Sequence, residues 1–438
     1  MDDWLTLRAR THGDRPAVVA EGRVVTYAEL DGAAARTARR LAALGVEEGD
    51  LVATTLPPEH AFCELLHALP RLGAVLVPLN TRLTAAERAL QVEDSGARLV
   101  VDEPPHGPEA DVPLREQVDE DAVQTVVYTS GTTGRGKRVE LTFGNHAASA
   151  IASAWNLGVA PDDRWLCPLP LFHVGGLAIL LRSAIYATTA VIHERFEPGA
   201  VREALESGEV TLVSLVATML RRLRQAGLRE APALRAALIG GGPAPRELIE
   251  WAIATGLPVL QTYGMTETAS QIVTASPRES AAHAGSAGRP LPGVDLQIAG
   301  DGEILVRGPM VARSALDGDG WLHTRDRGHL DGDGLLHVEG RIDDTVVTGG
   351  ENVAVAEVED ALLSHPSVAD AAVAGLPDPE WGEIVAAWVV LATHASDAEL
   401  MAHCRARLAG FKVPKEFVRV RELPRNEAGK VLRARLRH

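Results

Sequence analysis

The run Thr129-Ser-Gly-Thr-Thr-Gly134, followed by Lys137, gathers hydroxyl donors and glycine N–H groups on one short stretch. Such a loop suits an anion, above all a polyphosphate, because its donors can converge on the charge. Lys137 adds a compact, rotatable ammonium that arginine's planar fork does not reproduce. It is informative because the chain holds four lysines, Lys137, Lys412, Lys415 and Lys430, against 39 arginines. Gly131 to Lys137 also satisfies the spacing G-x-x-x-x-G-K of a Walker loop. That loop needs Ser or Thr next, to ligate magnesium, and Arg138 follows here. Other chemistry-bearing groups are spread downstream: Gly240-Gly-Gly-Pro-Ala-Pro245, Tyr263-Gly-Met-Thr-Glu-Thr268, Asp326, Gly340-Arg-Ile-Asp-Asp344 and Pro424 to Lys430.

Residues so far apart in sequence need a scaffold that brings them together. Apolar spacing predicts helices over 27–44, 59–72 and 84–95, interleaved with strands at 51–56, 74–79 and 98–102. This βα rhythm implies helix-covered, mostly parallel sheets. The Pro- and acid-rich stretch 102–121 reads as a surface connection, 125–128 as a strand feeding the Gly/Thr run, and a helix is expected after Asn145. Helices and strands alternate again over 201–260. From 285 to 340 the texture becomes Gly- and Asp-rich with short alternating strands, a small β subdomain. A compact α+β tail follows, with a helix at 355–363, strands at 369–375 and 384–391 and a helix at 398–408. The expected class is α/β, with a large domain over 1–342 and a small one over 343–438.

The six motifs, in this order and spacing, resemble the acyl-adenylate-forming superfamily, which holds acyl- and aryl-CoA synthetases, peptide-synthetase adenylation domains and luciferases. The resemblance spans nearly the whole chain. It implies that a carboxylate is joined to the α-phosphate of ATP, with pyrophosphate leaving, and is then passed to a thiol such as that of CoA. Thr129, Ser130, Gly131, Thr132, Thr133, Gly134 and Lys137 would hold the β- and γ-phosphates. Glu267, with Thr132, would serve Mg2+, and Thr266 would donate to the α-phosphate. Gly240, Gly241, Gly242 and Gly264 would border the nucleotide, Tyr263 would stack on adenine, and Asp326 would take the ribose hydroxyls with Arg341 nearby. Lys430 would bridge carboxylate and α-phosphate during the reaction. Asp343 matches a hinge about which the small, mobile C-terminal domain swings, and Gly349 and Gly350 would then line a pantetheine tunnel. Two departures stand out: Gly136 and Arg138 replace the usual Pro and Gly, and Thr324-Arg-Asp326 replaces Thr-Gly-Asp.

The acid pocket is expected from Phe172-His173-Val-Gly-Gly176, the helix after it, and residues 264–272. These runs look most like the o-succinylbenzoate:CoA ligases of menaquinone biosynthesis. That acid is an aromatic dicarboxylate, so one carboxylate reacts and the other needs a partner. Arg182, alone in an apolar helix, is read as that partner or as a side chain snorkelling to water. His173, Ser270 and Gln271 are the remaining candidates, His173 also fitting a neutral packing or gating role. Lys412 and Lys415 are read as solvated surface or as contacts to CoA phosphates. An aryl- or medium-chain acyl-CoA synthetase and a stand-alone enzyme loading a carrier-protein thiol remain as alternatives.

Bulk composition agrees with a soluble catalyst of small molecules. A net charge of −16 argues against nonspecific nucleic-acid binding. Three scattered cysteines, Cys63, Cys167 and Cys404, form no disulfide framework or metal cluster and fit a reducing cytoplasm. The N-terminus lacks the pattern of a signal peptide, and the apolar stretch 174–192 is interrupted by Arg182, so no membrane span is expected. Self-association into a homo-oligomer is left open by composition.

Overall fold

A computed structural model of the chain describes residues 1–129, 137–242, 244–342, 345–348, 351–379, 381–425 and 431–436. Several of its helices begin at short polar residues that cap them. Thr26, Thr84, Thr142, Ser276 and Ser396 each accept the N–H of the third helical residue, whose side chain accepts the cap's own N–H. Both donors are thereby satisfied without help from neighbouring elements. At the helix Phe143–Leu157 the reciprocal partner is Asn145, so this helix starts two residues before Asn145 rather than after it.

The largest sheet has nine strands. In order they are Arg289–Pro290, Ser270–Thr274, Val259–Met265, Ala236–Gly240, Leu212–Val216, Arg164–Cys167, Thr189–Ile192, Pro16–Ala20 and Arg23–Thr26. Its centre is parallel, and the edges turn antiparallel. A five-stranded sheet, Leu99–Val101, Leu51–Thr54, Val75–Pro78, Val123–Tyr128 and Arg138–Thr142, is parallel until its last pair. The expected β subdomain is an antiparallel sheet of Asp295–Ile298, Glu303–Arg307, Leu322–Leu330 and Leu336–Arg341. The tail forms its own sheet, Glu351–Ala354, Thr345–Thr348, Gly382–Leu391 and Val368–Asp378, with Glu416–Arg419 parallel to Gly382–Leu391. Among the described residues, no hydrophobic cluster mixes side chains before 343 with side chains after it.

Topology also disposes of the Walker reading. Tyr128 pairs with Arg138 in antiparallel strands, and the Thr129 N–H donates to the Lys137 carbonyl at 3.0 Å. The Gly/Thr run therefore joins strand to strand, whereas a Walker loop runs from strand into helix. Arg138 directs its guanidinium away, to Glu140 at 2.7 Å and to the Ser95 carbonyl at 3.3 Å. The apolar stretch at 174–192 is a buried helix, Val174–Tyr186, followed by the buried interior strand Thr189–Ile192. Among the described residues no helix is long and apolar enough to cross a membrane.

Candidate active site

Three sequence-distant residues meet where the large sheet faces the β subdomain. Tyr263 lies just past the parallel run of the strand Val259–Met265, where it pairs antiparallel with Val273, and its hydroxyl donates to Asp326 Oδ2 at 2.8 Å. Arg341, the cross-strand partner of Asp326, places Nη1 3.3 Å from Oδ1. Burial, followed by the negative charge of Asp326, holds the Tyr263 phenol well above its ordinary pKa, so it remains a proton donor. Asp326 is thus held through both of its oxygens by residues from two different elements.

Glycine is required beside this cluster. Gly241 has φ +76° at the end of the strand Ala236–Gly240, a left-handed turn that an L side chain rarely adopts. At Gly264 the constraint is space. A Cβ there would lie 1.9 Å from the Ser270 carbonyl oxygen, because the strand Ser270–Thr274 folds back tightly against it.

The segment between those strands carries Thr266 and Glu267 on a single 3-10 turn. Thr268 Oγ1 accepts the Met265 N–H at 3.0 Å and donates to the Ser270 carbonyl at 2.8 Å, closing the turn from inside. Ala269 and Ser270 both have positive φ, +49° and +102°, a costly pair for non-glycine residues. The turn is anchored on two sides. The Glu267 carbonyl accepts from the Ala312 N–H at 2.8 Å, and Asn145 Nδ2 donates to the carbonyls of Pro309 and Val311 at 2.8 and 3.2 Å. The Ala269 carbonyl accepts from Ser149 Oγ at 2.8 Å. Among the described residues the Glu267 carboxylate has no ion-pair partner, and no group of three acidic, His or Cys side chains could hold a metal alone. A lone free carboxylate suits an ion that takes its other ligands from phosphate and water.

The acid-pocket candidates are placed unequally. His173 precedes the helix Val174–Tyr186, rests edge-to-face on Phe172, and has a buried Nε2 with no described partner. Burial, reinforced by nearby Arg82, lowers its pKa to about 4, so it is a neutral imidazole near neutral pH. Arg182 does not snorkel: it is 3% exposed, donates from Nη2 to Ser149 Oγ at 2.9 Å and lies over the Trp165 ring. No described carboxylate pairs with it, although burial lowers its pKa and the charge is costly there. Gln271 is turned inward, its Nε2 spent on Ser153 Oγ at 2.8 Å. Ser270 is partly exposed on the strained turn. Sequence reasoning passed over Ser149 and Ser153, whose i, i+4 spacing on one buried helix face was the signal available.

Lys137 is exposed, and Thr129 caps its carbonyl. Lys412 is paired with Glu357 at 2.6 Å, and Lys415 Nζ lies 3.7 Å from the Trp381 ring centre, so neither is simply solvated. Ser130, Gly131, Thr132, Thr133, Gly134, Asp343, Gly349, Gly350 and Lys430 lie outside the described residues.

Comparison with known proteins gives the arrangement its context. The profile of the AMP-binding enzyme family matches residues 5–315, and that of the AMP-binding enzyme C-terminal domain matches 357–430. The chain is 45% identical to 2-succinylbenzoate--CoA ligase of Geobacillus kaustophilus, covering all of this chain and 97% of that protein. It superposes with TM-score 0.95 and 41% identity on o-succinylbenzoate CoA synthetase from Bacillus subtilis in complex with the acyl-adenylate intermediate OSB-AMP, covering 100% and 98% of the two chains. Against a double mutant of that synthetase bound with its product analogue OSB-NCoA, identity and coverage are the same but the TM-score is 0.76.

Proposed function

The chain belongs to the AMP-binding enzyme family, and on that premise we propose that it is an AMP-forming acid:CoA ligase whose acid is o-succinylbenzoate. Its two half-reactions form the acyl-adenylate with release of pyrophosphate, then the CoA thioester with release of AMP. Carboxylate and ATP repel each other, so the enzyme's task is to neutralise and align them. Asp326, with Tyr263 and Arg341 fixing its orientation, anchors the ribose. Gly240, Gly241, Gly242 and Gly264 leave room for the base beside Tyr263. Thr266 donates to the α-phosphate, while Thr129 and Lys137, with Ser130, Gly131, Thr132, Thr133 and Gly134, take the outer phosphates. Mg2+, which would be held by Glu267 with Thr132, supplies further neutralisation of phosphate charge. Lys430 bridges the reacting carboxylate and the α-phosphate.

The observation that favours a dicarboxylate is Arg182. A buried guanidinium without a carboxylate partner gains most from an acid that brings one. His173, neutral and with a free Nε2, and Ser270 complete the acid site, and Gln271 supports it from behind through Ser153. We place the domain boundary at 342/343, with Asp343 as the hinge, Gly349 and Gly350 beside the pantetheine, and the enzyme in the cytoplasm. The TM-scores of 0.95 and 0.76 at equal identity support two arrangements of the chain, this one being the adenylate-forming arrangement. The test is ATP–pyrophosphate exchange with o-succinylbenzoate, benzoate and octanoate, followed by thioester detection with CoA. Exchange with o-succinylbenzoate well above the two monoacids is expected. Robust exchange with octanoate or benzoate alone would overturn the substrate, and exchange without any CoA thioester would point to a carrier-protein thiol.

A further inference from the structure

Asp326 does not sit in a regular strand. Between the pairs Glu303–Arg327 and Leu305–His323 one strand advances two residues while its partner advances four. The two extra residues form a bulge over Thr324-Arg-Asp326, a device that re-aims side chains and leaves backbone amides without ladder partners. Arg325 occupies it with φ +60°, a left-handed conformation in a bulky residue where the family usually has glycine.

Side chains replace the missing ladder bonds. The Asp326 N–H donates to Thr324 Oγ1 at 3.1 Å, and that hydroxyl donates to the Ile304 carbonyl at 2.7 Å. The Arg325 N–H donates to Glu303 Oε1 at 2.8 Å. Glu303 is 5% exposed, and its other oxygen, Oε2, takes His323 Nδ1 at 2.9 Å, with Asp319 on the far ring nitrogen at 3.2 Å. A buried carboxylate committed to one strained amide, and itself held by a histidine, is a clamp on backbone geometry. No bound substrate is needed to explain its contacts.

We propose that Glu303 is a positioning residue for nucleotide recognition: its carboxylate clamps the Arg325 amide and so holds the bulge that presents Asp326 to the ribose. The inference rests on the reading of Asp326 as the ribose-binding carboxylate. His323 and Asp319 brace the clamp from the other side.

The test measures pyrophosphate exchange with ATP, 2′-deoxy-ATP and 3′-deoxy-ATP in Glu303→Ala, Glu303→Asp, Glu303→Gln and Asp326→Ala enzymes. Glu303→Ala should raise KM for ATP about tenfold with kcat little changed, the loss of one charge-assisted bond. The increase should shrink on the deoxy analogue lacking the hydroxyl that Asp326 holds. Glu303→Gln, whose amide oxygen still accepts the Arg325 N–H, should retain most of the wild-type discrimination. Glu303→Asp, which keeps the charge but not the reach, should behave as the alanine variant does and serves if that variant fails to fold. Proportional losses on all three nucleotides in the Glu303 variants would overturn the proposal. If Asp326→Ala itself leaves the ATP-to-deoxy-ATP ratio unchanged, the ribose reading fails instead.

Discussion

The hydroxyl of Tyr263 donates to Oδ2 of Asp326 at 2.8 Å, joining the end of a strand in the large sheet to a bulge in the β subdomain. The bond orients a carboxylate that Arg341 holds from its other oxygen. Tyr263→Phe keeps the ring for stacking and removes only this constraint. KM for ATP should rise by about five- to tenfold, the worth of one hydrogen bond near 1 kcal/mol, with kcat nearly unchanged. Steady-state kinetics with ATP varied would check this, and a large fall in kcat at unchanged KM would refute it.

Arg182 separates acids by charge. Arg182→Met fills a similar volume and removes the buried cation, so folding stability should be unchanged or should rise by about 1 kcal/mol. The KM for o-succinylbenzoate should rise by about 100-fold, the cost of leaving a second carboxylate unpaired, while exchange with benzoate changes little. Thermal melts and a two-acid comparison read both outcomes. Equal losses with mono- and dicarboxylic acids would remove Arg182 from the acid site.

Gly264→Ala would push a methyl group into the Ser270 carbonyl, a backbone atom that cannot swing away. The hairpin would have to open, displacing Thr266 and Glu267 together. A loss of at least about 2 kcal/mol of stability and a near-complete loss of adenylate formation are expected. Denaturant unfolding together with pyrophosphate exchange tests this. Near-normal activity would show that the turn tolerates the wider separation.

His67 and His146 are both buried, and burial, followed by a neighbouring guanidinium (Arg71 and Arg182 respectively), lowers each pKa to about 3. A histidine depressed in the folded state stabilises above its unfolded pKa of about 6.5 and loses that contribution as pH falls toward its folded value. Within that window each should steepen the loss of stability by about 1.4 kcal/mol per pH unit. His146→Gln, which can still meet Thr125 Oγ1 where His146 Nε2 lies at 2.9 Å, should remove one such increment. Urea unfolding at pH 7, 6, 5 and 4 measures the slope, and identical slopes in both proteins would contradict this assignment.

Much of the architecture was legible in the chain itself, because the signals are local. Alternating apolar periods announced the βα rhythm, and the Gly- and Asp-rich texture announced the β subdomain. The motifs could be recognised in order because phosphate, ribose and carboxylate chemistry each admit few residue types at a given place. Local signals also misled at Asn145, which caps its helix from inside rather than preceding it.

Contacts between distant segments were decided only by the tertiary structure. Residue type alone could not say that Gln271 turns inward to Ser153, or that Arg182 is buried against Ser149 and Trp165 rather than reaching water. Nor could it say that Arg325 takes a left-handed conformation clamped by Glu303, 22 residues earlier. Such outcomes depend on sheet register and on which helix face meets which strand. A side chain's role there is set by the one partner packing brings within about 3 Å, the range in which a hydrogen bond forms. The sequence by itself established a phosphate-handling, carboxylate-activating chain. Packing determined which of its polar residues are available to substrate and which are spent holding others in place.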